Sequence, residues 1–125
     1  MIRTIISACL TFLFIFCIAF YESNRVNTTF ANFEKVLLVL YDKVNGGEAT
    51  IEDGEAVESF WESQKNTLHI WLPHSAIQEV DYQLYEAVGY VYVRDFKSAL
   101  PKIEVLLGMC ENIPQSYRFS FENIL

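Results

Sequence analysis

The sequence predicts an all-α protein: an N-terminal transmembrane helix, then a small antiparallel bundle of about four helices with an extended C-terminal tail. Three observations carry this. Residues 4–21 form eighteen consecutive uncharged residues, apolar positions beyond them recur at gaps of three and four, and Gly or Pro breaks that rhythm at short intervals.

The uncharged run, TIISACLTFLFIFCIAFY, would be roughly 27 Å long as a helix, against roughly 30 Å of hydrocarbon. Arg3 precedes it and Glu22 follows at once. Basic residues stay on the cytoplasmic side, so the N-terminus is expected inside and the remaining chain outside, as a single-pass protein of the cell membrane. Residues 1–21 are therefore read as an anchor and 22–125 as an extracytoplasmic helical domain. A signal peptide is the rival, because Cys17-Ile18-Ala19 places small residues where a signal peptidase reads. Phe20 and Tyr21 prolong the run past that point and suit an interfacial anchor.

The outer part keeps all 16 acidic residues and 8 of the 9 basic ones. Its net charge of −8 argues against a partner bound through phosphates, so no nucleic acid is expected. The hydrophobic share of 52% is too high for a disordered chain. Only Cys110 remains outside the apolar run, so this part has no internal disulfide.

Helix one is expected over 27–44, with Val26, Phe30, Phe33, Leu37, Leu40 and Val44 on one face and Gly46-Gly47 as its stop. The link from residue 22 holds no Pro or Gly, which lets this helix continue from the anchor. Helix two is expected over 50–71, opened by a Thr50/Asp53 capping box and ended by Pro73, with Ile51, Val57, Phe60, Trp61, Leu68 and Trp71 as its stripe. Helix three covers 76–93, with Ser75 and Gln78 as a second capping box and Ile77, Val80, Leu84, Val88 and Val91 inward. Gly89-Tyr90-Val91-Tyr92-Val93 is strand-like by propensity, yet a lone strand has no partner here, so helix is preferred. Helix four covers 95–112 with Phe96, Leu100, Ile103, Leu107 and Cys110 inward; Pro101 predicts a late start or a kink, and Ile113-Pro114 closes it. The last ten residues alternate apolar and polar, the pattern of an extended segment lying in a groove between helices.

Several features together resemble one family. They are Glu55-Ala56-Val57 with Trp61, His74 ahead of helix three, Phe96-Lys97-Ser98-Ala99-Leu100, Ile113-Pro114, and the closing Phe121-Glu122-Asn123-Ile124-Leu125. With the N-terminal anchor, this resembles DUF4363, a family of small membrane-anchored proteins of Firmicutes, chiefly clostridia. Pro101 departs from that family's uninterrupted helix. The resemblance implies a location and a fold, not a reaction. It also implies a membrane partner, of the YetF-like (DUF421) type.

No catalytic constellation stands out. There is no phosphate-binding glycine loop, no nucleophile elbow and no His-Glu-x-x-His zinc motif, so no enzyme, metal or cofactor is expected. His69 and His74 are five residues apart, about 500° of helix rotation, and would face different sides. Pro73 and His74 are read as a structural corner. Glu55, Glu58 and Glu62 form a stripe expected to be solvated rather than a cation site, for want of calcium-loop spacing. Cys110 lies on the apolar stripe and is read as core. Trp61 and Trp71 are core candidates first, whereas Tyr85 and Tyr92, seven apart on one face, are the best candidates for an exposed contact surface. Together the four aromatics are the possible partner or ligand contacts. The expected function is a non-enzymatic interaction module or accessory subunit of a membrane complex. The alternative is a ligand-binding or sensory domain with a pocket lined by Trp61, Trp71 and Tyr85.

Overall fold

In the computed structural model the backbone is described at all positions except Trp71 and Leu125, and side chains at all except 19–24, 71 and 117–125. The described residues form four α-helices: α1 (Ile2–Asn45), α2 (Ile51–Leu68), α3 (His74–Tyr92) and α4 (Phe96–Ile124). Each helix packs against its sequence neighbours, and α1 also packs against α4. Short links at alternate ends make this an up-down-up-down bundle.

The predicted stripe of α1 faces the core. Phe30, Phe33, Leu37 and Leu40 are all but fully buried, with Val26 and Val44 at the two ends. They meet Val57, Trp61 and Leu68 of α2, Ile77, Val80, Leu84, Val88 and Val91 of α3, and Ile103 and Cys110 of α4. Gaps of three and four hold such residues on one face at 3.6 residues per turn. Ala99 and Leu106 are also fully buried, whereas Phe96, Leu100 and Leu107 are half-buried. The inward face of α4 is therefore rotated from the predicted stripe, toward Ala99 and Leu106.

Helix ends follow local chemistry. α1 runs unbroken from the N-terminal apolar stretch into the bundle. It stops where Gly47 turns to φ 72°, with the Gly47 and Glu48 amides donating to Val44 and Lys43 carbonyls. Thr50 and Asp53 form the expected reciprocal capping box. The α3–α4 turn repeats the geometry of the α1 stop with Arg94 at φ 60°, the Asp95 amide donating to the Tyr90 carbonyl, and Arg94 lying 5.4 Å over the Phe96 ring. Asp95 then accepts the Ser98 amide at 3.3 Å and opens α4.

Four expectations are corrected. The Ser75/Gln78 capping box does not form: Pro73, in extended conformation, precedes α3, and the helix starts at His74. α2 ends at Leu68 rather than 71, and Trp71 itself lies outside the described residues. Pro101 does not delay α4, which begins at Phe96, and Pro114, expected to close it, lies inside it. The extended tail is instead helical to Ile124. A strand would leave its amides and carbonyls without a neighbour, whereas a helix satisfies them within the segment and loses one bond at Pro114.

Among the described residues no helix is long and apolar enough to cross a membrane. The run expected to do so, 4–21, ends in residues 19–21, whose side chains lie outside the described set.

Candidate functional site

Where α2 and α3 pack, aromatic and acidic side chains alternate along the seam. At its centre Trp61 is fully buried, 5.1 Å from the Phe33 ring and 6.3 Å from Phe30, centre to centre. A buried indole N–H needs an acceptor. Trp61 Nε1 donates to Asp81 Oδ1 at 2.7 Å, and Lys65 Nζ lies 3.0 Å from Asp81 Oδ2. Trp61 is thus a core residue tied across the seam.

Tyr85 lies one turn along α3 from Asp81 and is 44% exposed. Its hydroxyl donates to Glu62 Oε1. That bond, with lesser burial and the charge of Glu62, pushes the phenol up to about 12. Tyr92 sits half-buried at the far end of the seam, over Gly54 of α2. Burial and the nearby Glu58 and Glu55 carboxylates push it up to about 12 as well. The two tyrosines do share a face, and that face is turned to α2. Glu62 is engaged there by the Tyr85 phenol, and Glu58 lies near that of Tyr92. Tyr82, outside the candidate pair, is the more exposed ring at 61%.

Gly54 explains the close approach at Tyr92. A Cβ there would stand 2.9 Å from Tyr92 Cε1 and 3.1 Å from Val88 Cγ1, so only glycine admits the ring without a shift. Beside it, Ala49, Thr50, Ile51, Glu52, Val91, Tyr92 and Arg94 line a concavity of about 370 Å³. Neither Trp61 nor Tyr85 lines it.

The corner between α2 and α3 departs from expectation in one respect. His69 and His74 are exposed and their rings stack 5.6 Å apart at 24°. The 500° argument fails because α2 ends at Leu68, so no helix separates the two. Leu72 is buried within this corner and Ile70 is 68% exposed.

Burial pushes the Cys110 thiol up to about 12, with Glu34 contributing, which disfavours the thiolate. Among the described residues no group of three or more His, Cys, Asp or Glu could hold a metal ion. The residue that sequence reasoning missed is Asp81. The need for an acceptor at Trp61 was legible, but which helix would supply it was not.

A family model described as "Domain of unknown function (DUF4363)" matches residues 21–124. No curated protein and no solved structure matches the chain.

Proposed function

The chain belongs to the DUF4363 family, and from that premise we propose that it is a membrane-tethered, non-enzymatic helical interaction module, with its N-terminus inside and its bundle on the outer face. One observation carries the reading: every described side chain of residues 2–18 is exposed, and among the large apolar ones Ile2, Phe12, Phe14 and Phe16 are each more than 60% exposed. Apolar surface of that extent in water costs about 25 cal/mol per Å², and a bilayer removes the cost. Because α1 is one helix from this stretch into the core, the anchor and the bundle are rigidly coupled. A coupled bundle of net charge −8 with exposed tyrosines suits docking on a membrane protein, a YetF-like protein among them, as an accessory subunit.

Support for the ligand-binding alternative is weaker. Trp61 is closed into the core with its N–H bonded, and the Tyr85 hydroxyl is bonded to Glu62.

Membrane fractionation with alkaline carbonate extraction tests the tether. The full-length chain should stay in the pellet, and mild detergent should release it with a stoichiometric membrane protein. Intact, unprocessed chain in the soluble fraction would refute the tether. A mature chain lacking the first 19 or so residues would show a cleaved signal peptide instead, and a clean monomer from detergent would remove the accessory-subunit reading.

A further inference from the structure

We propose that Ile70, at the α2–α3 corner between His69 and His74, is a second membrane contact, seated in the headgroup layer of the bilayer that holds the anchor. The inference rests on the membrane-tether reading and deepens it.

Ring and charge contacts fix the antiparallel register of α1 and α2. Lys43 Nζ lies 2.7 Å from Asp53 Oδ1 at one end, and Trp61 lies against Phe30 and Phe33 lower down. Leu68, seven residues beyond Trp61, is about 10 Å further along the axis, level with α1 residues near Val26. Val26 is also where burial of α1 begins among its described side chains. The corner therefore lies roughly 5–8 Å along the axis from residue 21, the end of the apolar run. A headgroup layer is roughly 5–8 Å deep on each side of the hydrocarbon, so the corner falls within it.

Chemistry of the corner fits that layer. Residues 66–78 hold no Asp, Glu, Lys or Arg, the longest such stretch outside the N-terminal run. The opposite end of the bundle carries Glu48, Glu52, Asp53 and Glu55. The acidic body therefore presents an uncharged corner to the headgroups, and the exposed Arg25 of α1 stands at the same level. Ile70, 68% exposed in water, gains burial by entering lipid, and the His69 and His74 rings beside it supply polar edges suited to headgroups.

The test uses the full chain with Cys9→Ala and Cys17→Ala, so that added exposed thiols label ahead of Cys110, which is buried with its thiolate disfavoured. Ile70→Cys and Val93→Cys variants carry an environment-sensitive fluorophore. Val93, 73% exposed, marks the far end of α3. Each is reconstituted into phosphatidylcholine vesicles containing phosphatidylglycerol, with and without phosphatidylcholine bearing a nitroxide near the headgroup. Chain that floats with the vesicles should show several-fold stronger quenching at position 70 than at 93. Equal quenching in floating chain overturns the corner contact and leaves the tether standing. Blue-shifted emission at 70 without nitroxide quenching means protein, not lipid, covers the corner, and overturns it too. Failure to float overturns the tether and the corner contact together.

Discussion

Removing the Asp81 carboxylate should expose how much the α2–α3 seam depends on one acceptor. In Asp81→Ala the Trp61 N–H, fully buried, loses the acceptor it bonds at 2.7 Å, and Lys65 loses an ion pair at 3.0 Å. An orphaned buried donor costs about 1–3 kcal/mol. The pair is partly exposed, with side-chain exposures of 22% for Lys65 and 14% for Asp81, so it adds about 0.5–1 kcal/mol. The loss is therefore about 2–4 kcal/mol, on the order of 10–20 °C in the melting temperature of a domain this size. Asp81→Asn keeps an oxygen for the indole and gives up the charge, so it should cost about 1 kcal/mol. Trp61→Phe removes the donor, after which Asp81→Ala should cost little more than the ion pair. Urea unfolding of the full chain in mild detergent, followed by far-UV circular dichroism, gives the four corners of the cycle. A coupling of about 1–2 kcal/mol is expected. Strict additivity, or equal losses for Asp81→Ala and Asp81→Asn, would refute the reasoning.

Two further predictions follow from the same seam. Gly54→Ala gains about 1 kcal/mol of helix propensity but meets Tyr92 and Val88 at 2.9 and 3.1 Å, an overpacking of about 1–3 kcal/mol. A net loss of about 1 kcal/mol in the urea midpoint is expected, relieved when Tyr92→Leu is added; no relief would show that the ring is not the obstacle. Because the fold raises Tyr85 and Tyr92 from 10.0 to about 12, their stabilisation is complete below pH 10 and is lost as pH rises to about 12. The unfolding midpoint should fall across that window, and less steeply in a Tyr85→Phe/Tyr92→Phe chain, while ultraviolet titration should show part of the seven tyrosines ionising late.

Trp71 lies outside the described residues, so of the four candidate aromatics three can be placed. Tyr85 and Tyr92 were rightly assigned one face, because a spacing of seven is two helical turns. That this face meets Glu62, Glu58 and Gly54 depends on the rotation of α2, which a stripe with Phe60 and Trp61 side by side leaves open by one position. The histidine stack was illegible for a related reason: period arguments hold only inside a helix, and α2 stops one residue before His69.

By itself, the sequence determined the helical class, the inward stripe of α1, the Thr50/Asp53 cap and the family, since periodicity, local hydrogen bonding and quoted motifs act within short windows of chain. Tertiary structure alone decided the Asp81 acceptor, the Gly54 approach and the level of the α2–α3 corner against α1. Each of these is a distance between residues far apart in the chain, fixed only when four amphipathic faces close on one core.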